Sequence, residues 1–509
     1  ACVMFVPAMF SGMAFPLAIS LIVHEVKQSG QQTGKMTAAN LAGGIAGSGV
    51  AGFVMLPFGG LQWTLYFVTG VGLLLGLVTW LCLEPKVSRG MRLVWCIAAI
   101  SLWVGIPAYQ KTELPRDFLE TEGRLIDFRE GFNANVAVIQ KGSVQHLEIN
   151  RMWQGQNLRN HQVFAGHIPI LLHQAAGGLP KRVLAIGLGT GQTAGSFLKH
   201  DIERLDCLEI EDGLVQLVRK HFDGAWLDDP RVKMIVEDGR NYVTHTTERY
   251  DIISIEVGQI FRPRISSFYT AEFYEQLRPR LREGGLVCQF LPIEFFGPQE
   301  FRTLVATFYH EFPQCWLWYN TSELLMIGAD EPKKFDARRL GELVQEVRLK
   351  HDFEYAYWGG PAQYLSNTES LIAGCLCGPD QVGQLAKGGD IYRDDRPYLE
   401  YLPVKEQTDA PILVQMIAEQ LSPLAPLFDN AGEEELAKAQ VMRRENLQEI
   451  VARVFVARAQ LLEAAGDLQG AAEGYQASLE VLPSYPRANF ALGRFLDTQG
   501  DSSLATRFY

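Results

Sequence analysis

The apolar run Val183-Leu184-Ala185-Ile186 is followed at once by Gly187-Leu188-Gly189-Thr190-Gly191. Glycines at this density let a backbone turn sharply and approach a ligand, and a helix starting there offers unpaired N–H groups. Alone, such a loop is a weak signal. It gains from Leu205-Asp206-Cys207-Leu208-Glu209, a second apolar run ending in an acid about 20 residues further on, where Glu209 can accept both hydroxyls of a ribose. Val232–Val236 leads into Glu237-Asp238-Gly239, and Asp251–Glu256 ends in another carboxylate. The competing reading is plainer: Glu209 and Asp238 cap the helices that follow them, and Glu256 is an ordinary strand-end acid.

The elements that must position these residues follow from the pattern. Short apolar runs at 183–186, 205–209, 232–236, 251–256 and 285–291 alternate with helical stretches such as Thr270–Leu281. That alternation implies a doubly wound parallel sheet whose ligands gather at the carboxyl ends of the strands. Tyr269, Phe273 and Tyr274 fall at core spacing and read as packing.

Several longer motifs join this pattern. Gly187-Leu188-Gly189-Thr190-Gly191, Leu208-Glu209-Ile210, Glu237-Asp238-Gly239-Arg240-Asn241-Tyr242, Phe268-Tyr269-Thr270-Ala271-Glu272-Phe273-Tyr274 and Asp394-Asp395-Arg396-Pro397-Tyr398-Leu399-Glu400-Tyr401 resemble the spermidine synthase (polyamine aminopropyltransferase) family over about residues 120–405. Gln145–Asn150 and Gln154-Gly155 resemble that family's small N-terminal β-domain, and Gly166-His167-Ile168-Pro169 the segment before its first strand. The resemblance implies a class I methyltransferase-like sheet and an adenosyl ligand: S-adenosylmethionine, its decarboxylated form, or methylthioadenosine. It implies that Gly187, Gly189, Thr190, Gly191 and Gly239 shape the nucleoside site. By the same resemblance Glu209 holds the ribose diol, Asp238 the adenine amine, and Gln154 lies over the ligand.

Aminopropyl transfer needs a neutral amine, so a proton must leave an ammonium ion whose free pKa is near that of lysine, about 10. The soluble enzymes supply carboxylates for this. Here the first such position is Glu256, a candidate general base; the second is near Gln259, and the upstream segment reads His161-Gln162-Val163-Phe164. Thr190 stands where the family has an acid facing the ligand's amine, which leaves ordinary S-adenosylmethionine and methyl transfer open. Arg262 and Arg264 occupy the loop over the acceptor site, where they fit an anionic acceptor better than a cationic amine, or else face solvent.

The 509 residues carry 46 bases and 58 acids, a net charge of −12, which argues against a nucleic-acid footprint. Residues 1–110 hold only Lys27, Lys35, Lys86, Arg89, Arg92, Glu25 and Glu84, which excludes a wholly soluble chain. Ala1–Val23, Met36–Pro57, Leu61–Leu83 and Leu93–Ala108 are uncharged, and about 20 residues cross the hydrocarbon. Three spanning helices and a fourth are expected, similar to a transporter-like bundle, as in the membrane-fused branch of the family. Small residues from Ala38 to Gly49 suit close packing with neighbouring helices. The loop charges put the soluble part outside the cytoplasm, at a bacterial inner membrane, if the fourth helix spans; if Leu93–Ala108 lies at the interface, the soluble part stays cytoplasmic. The Cys375/Cys377 pair lacks the further ligands that zinc needs, so no metal is expected.

Gly466-Asp467 recurs as Gly500-Asp501, and Leu462/Leu496, Ala471/Ala505 and Tyr475/Tyr509 keep the same 34-residue offset. This resembles a tetratricopeptide repeat, a surface for protein partners that needs about three copies. The expectation is therefore a fragment of a longer protein in five parts: helices 1–110, a β-domain 111–160, the α/β domain 161–405, a linker 406–440 and a repeat 441–509. Three readings follow. The first is a membrane-anchored transferase on a small amine or an anionic acceptor. The second is a catalytically lapsed scaffold subunit of a membrane complex, and the third an S-adenosylmethionine-dependent methyltransferase.

Overall fold

Strands rich in Ile, Val and Leu on both faces must be covered on both faces, and β5 (Arg182–Ile186), β6 (Arg204–Glu209) and β8 (Tyr250–Ile255) are buried almost throughout. The computed structural model describes residues 9, 12–20, 29–82, 89–109, 123–159, 161–262, 264–293, 296–319, 323–353, 366–402 and 409–508. They fall into two units, 1–122 with 128–135, and 123–127 with 136–509.

The second unit centres on an eight-stranded sheet. Its order is β13-β10-β11-β9-β8-β5-β6-β7, with β7 at Val232–Val236, β9 at Leu281–Leu291, β10 at Gln314–Tyr319, β11 at Leu324–Ala329 and β13 at Cys375–Cys377. Strands β5 to β9 are parallel, while β11 runs antiparallel to both β9 and β10. The strand order reverses between β5 and β8, the point where sheets of this kind bind ligands in a crevice at the carboxyl ends of the strands. The five expected strands are present. The expected helix Thr270–Leu281 is cut short: it runs Ala271–Leu277, Pro279 diverts the next residues into a 3-10 turn, and Leu281 already belongs to β9. A four-stranded antiparallel sheet precedes the large one, in the order β1 (Arg124–Glu130), β2 (Asn135–Lys141), β3 (Val144–Ile149), β4 (Met152–Gln156).

The segment read as a linker, 406–440, is structured over its described residues, 409–440. Ala410–Ala418 is a helix with Leu413, Val414 and Ile417 in the core, and β14 (Phe428–Asp429) pairs in parallel with β12 (Phe335–Asp336). The 33-residue helix Glu433–Ala465 then runs through the boundary proposed at 441: Ala439, Leu447 and Ile450 join the cores flanking the sheet, while Ala452, Val456 and Ala459 join the C-terminal helical cluster. One helix serving two cores leaves no hinge. The helices Leu468–Val481, Pro486–Thr498 and Ser502–Ala505 follow. The 34-residue offset is structural as well: Gly466 and Gly500 both adopt left-handed φ (84° and 87°), and Asp467 and Asp501 both cap the next helix by accepting from Gly470 N and Leu504 N.

In the first unit a helical run from Ser29 to Val78 is long and apolar enough to cross a membrane. At 1.5 Å per residue its 50 residues measure about 75 Å, more than twice the hydrocarbon thickness. Gly60, non-helical with φ 71°, divides it between the two expected spans, where the Glu130 carboxylate accepts from Leu61 N at 2.7 Å. Phe53, Phe58, Trp63 and Leu74 are exposed on it. The helix Arg89–Tyr109 packs where Trp103 donates to Thr69 Oγ1 (3.2 Å) beside Gly70. No described atom stands within 4 Å of where a Cβ would lie at Gly43, Gly44, Gly47 or Gly49. Most of the first expected span, and the loop charges Lys27 and Lys86, lie outside the described residues.

Candidate functional site

The glycine loop follows β5 directly. Gly187, Gly189 and Gly191 all have positive φ (97°, 52° and 82°), which a side chain would strain. A Cβ at Gly191 would lie 2.9 Å from Trp226 Cζ2, so this turn needs glycine for space as well. Glu209, at the end of β6, is buried; its Oε2 accepts from Leu188 N (3.2 Å) and its Oε1 from Glu211 N (3.0 Å). The helix-cap reading fails for Glu209, because Glu211 caps Asp212–His221. Burial pushes the Glu209 carboxyl up to about 7, against the backbone N–H groups that favour its charge. A ribose diol donating to it would supply the solvation that burial removed.

Asp238 does cap its helix: its side chain accepts from Asn241 N at 2.9 Å. Gly239 is a packing glycine, since a Cβ there would come within 2.5 Å of Ile186 Cγ2. Arg240 donates to Asp394 Oδ1 (2.7 Å) and Ser267 O (3.0 Å), and Glu400 accepts from Arg264 N (2.6 Å) and Ser266 Oγ (2.8 Å). Motifs more than 130 residues apart thus tie down one loop.

Glu256 follows β8, half-buried, across the crevice from the glycines. Ser254 Oγ donates to its Oε1 (2.5 Å) and Thr193 Oγ1 to its Oε2 (3.0 Å). Desolvation raises its carboxyl above the ordinary value although both hydroxyls favour the charge. A base with a raised pKa is suited to taking a proton at neutral pH.

Beside it lies a network of neutral side chains. Gln154 Nε2 donates to Gln259 Oε1 (2.8 Å), Gln259 Nε2 to Trp153 O (3.0 Å), Gln162 Nε2 to Gln154 O (3.3 Å), and Thr190 Oγ1 to Gln162 Oε1 (2.9 Å). The structure therefore gathers Gln154, Thr190, the glycines, Glu209 and Glu256 at the carboxyl ends of the central strands, and Asp238 caps the helix after β7. Sequence reasoning missed Gln162, Thr193, Ser254 and Trp226 as parts of the site. A hydroxyl two residues before Glu256 and another just inside the loop helix were the available signals. Arg262 departs from both expectations: its Nε donates to Met152 Sδ (3.4 Å) and its Nη2 to Ile149 O, so it anchors the β-domain. Tyr269, Phe273 and Tyr274 are buried, as expected for packing. Among the described residues no group of three or more potential metal ligands occurs.

Residues 160–317 match the spermine/spermidine synthase domain. Over this segment the chain is similar to the spermidine synthases. The chain is 38% identical over 125 residues to the polyamine aminopropyltransferases of Yersinia pestis (strain Pestoides F) and Yersinia pseudotuberculosis (serotype O:1b, strain IP 31758), over 24% of this chain and 40% of each relative. The match thus spans less than half the length of these relatives. Among solved structures, the spermidine synthase from Thermotoga maritima is 20% identical, covering 52% of this chain and 87% of that one, at a TM-score of 0.42. A probable spermidine synthase from Corynebacterium glutamicum is 16% identical over 53% and 96%, at 0.40.

A cleft lined by Arg249, Glu275, Arg278, Glu283 and Asp330 lies at the other edge of the sheet, beside the start of β9. Arg278 Nε is paired there with Asp330 Oδ1 at 2.8 Å, and none of the site residues reaches it.

Proposed function

We propose that this chain is a membrane-anchored, spermidine synthase-like transferase that binds an adenosyl sulfonium or thioether nucleoside in the crevice between β5 and β8. The observation that carries the reading is Glu209: a buried carboxylate hydrogen-bonded to the glycine loop, at the ribose position of a sheet whose order reverses beside it. A decarboxylated S-adenosylmethionine would supply an electrophilic carbon and a neutral thioether leaving group. Glu209 would hold the ribose hydroxyls, Gln154 and Gln162 would cover the ligand, and Thr190 would face its chain. Glu256 would accept the proton lost by the amine as nitrogen forms its bond to carbon and the carbon–sulfur bond breaks. Ser254 and Thr193 hold the carboxylate in place for that transfer. The apolar N-terminal helices would anchor the domain at a membrane, with the C-terminal helices, built like tetratricopeptide repeats, open to protein partners.

A second reading is favoured by the amides. Gln259 stands where a polyamine enzyme would present an acid and accepts from Gln154 instead, as suits a domain that keeps the fold as a scaffold after losing its acceptor site. Calorimetric titration of the full-length protein in detergent with S-adenosylmethionine, its decarboxylated form and methylthioadenosine separates the readings. Preference for the decarboxylated form supports aminopropyl transfer, preference for the intact form supports methyl transfer, and binding of none leaves the scaffold.

A further inference from the structure

Gly60 lies between two uncharged stretches, Met36–Pro57 and Leu61–Leu83, and yet a carboxylate meets it. Glu130 accepts from Leu61 N at 2.7 Å, and a Cβ at Gly60, whose φ is 71°, would lie 2.7 Å from Glu130 Oε2. Phe132 stacks on Phe53 with ring centroids 6.4 Å apart. Both contacts come from the tip of the β1–β2 hairpin, residues 128–135, which belongs to the first unit together with the apolar helices. The tip carries Arg129, Glu130, Asn133 and Asn135. Immersing such a tip in hydrocarbon is costly, so the break that it meets belongs at a membrane–water boundary. Trp63 and Tyr66, in edge contact at 6.2 Å just past the break, are the residue types that collect at such a boundary.

The helix Arg89–Tyr109 shows how the chain returns to that level. Thr69 and Trp103, joined by their 3.2 Å hydrogen bond, are nearly equidistant from the connection between Cys82 and Arg89. The helix therefore runs back antiparallel along Leu61–Cys82. Its 21 residues measure about 31 Å, enough to cover the hydrocarbon.

We infer that the hairpin seats the chain on the membrane face where the helical run breaks, opposite the face that holds the basic loops, and so places the nucleoside crevice outside the cytoplasm. This rests on the membrane anchoring proposed above. The run from Ser29 to Val78 is too long for one crossing, so it reverses at Gly60. From there Leu61–Cys82 crosses to the far face, Arg89–Tyr109 crosses back, and the hairpin follows on the face of the break. Were Leu93–Ala108 to lie along the far boundary, the hairpin would be stranded across the membrane from Gly60. The far face holds Lys27, Lys35, Lys86, Arg89 and Arg92, whereas Lys111 and Arg116 are the bases that follow the last span closely on the near face. Loops rich in bases stay in the cytoplasm. Acceptor and nucleoside are then drawn from the other side.

The test labels added cysteines with a membrane-impermeant maleimide, using the full chain in spheroplasts of a bacterial host and the unsubstituted chain as the baseline. V347C reports the α/β domain, since Val347 is 89% exposed, and G90C reports the start of the last apolar helix, where Gly90 is exposed. V347C should be labelled equally before and after lysis, and G90C only after lysis. Labelling of both, or of neither, before lysis puts the two positions on one face and overturns the inference. The reverse pattern puts the crevice in the cytoplasm and overturns it as well. The seat has its own readout: F53C/F132C in the same membranes should close an intramolecular disulfide under copper phenanthroline in air, and failure to close it overturns the seat. Release of the full chain from membranes by alkaline carbonate overturns the anchoring reading itself. Should V347C not fold, L179C takes its place, as Leu179 is 75% exposed.

Discussion

At the scale of single residues the site turns on two carboxylates whose surroundings differ. Glu209 is buried on backbone N–H groups with its carboxyl at about 7, against an ordinary 4.5. Because the folded value is the higher, this group's contribution to stability is full below about 4.5 and is lost as pH rises through about 7. A ligand that donates hydroxyls needs the ionised form. The affinity for methylthioadenosine should therefore rise with pH up to about 7 and then level, and Glu209→Gln should bind at least about tenfold more weakly with a flat profile, as titration at several pH values would show. In the proposed reaction Glu256 handles the proton rather than the nucleoside. Glu256→Gln keeps the side chain's size and can accept from one of the two hydroxyls, Ser254 or Thr193, while donating to the other, but it removes the base, so turnover should fall by about 100-fold or more with methylthioadenosine affinity within about threefold. Unchanged turnover would exclude this carboxylate as the base.

At the scale of elements the glycine loop is held from both sides. Gly191 has φ 82° and faces the indole of Trp226 at 2.9 Å from a built Cβ. Gly191→Ala should cost about 1–2 kcal/mol from the backbone alone, and more from the indole, lowering the unfolding temperature and weakening the nucleoside together. The loop was legible in sequence because its requirement is local: glycine after a strand. Asp238 shows the opposite case. The family resemblance implied an adenine contact, and in the structure its Oδ1 accepts from Asn241 N, a helix cap that spacing alone did not decide. Arg262 was read as facing an acceptor or solvent for the same reason; its partners, Ile149 O and Met152 Sδ, lie over 100 residues away in sequence.

At the scale of the whole molecule the long C-terminal helix carries the argument. Arg443 is fully buried and donates to Ser422 O (2.8 Å), Cys375 O (3.4 Å) and Gln440 Oε1 (2.7 Å), while Asn446 Nδ2 donates to Ala373 O (3.2 Å). Arg443→Ala should destabilise the α/β unit by about 3 kcal/mol, because it strips partners from buried carbonyls and opens a cavity. Thermal unfolding of the full chain measures it, and a change under 1 kcal/mol would contradict the packing described. For the same reason, ending the chain at residue 440 should yield unfolded protein, so the repeat-like helices cannot be tested by deletion.

The sequence by itself determined the elements that short-range chemistry dictates: five parallel strands, the glycine turn, the carboxylates at strand ends, the uncharged N-terminal helices and the 34-residue recurrence capped by Gly466-Asp467 and Gly500-Asp501. Each is written in residues that are neighbours along the chain. Tertiary structure decided the rest. It added β10, β11 and β13 to the sheet, turned a linker of acids and prolines into core, and assigned the amides Gln154, Gln162 and Gln259 to one another. Those outcomes depend on which buried polar group finds which partner across long separations. Burial makes every such choice costly to leave unmade, but it leaves no local mark in the sequence.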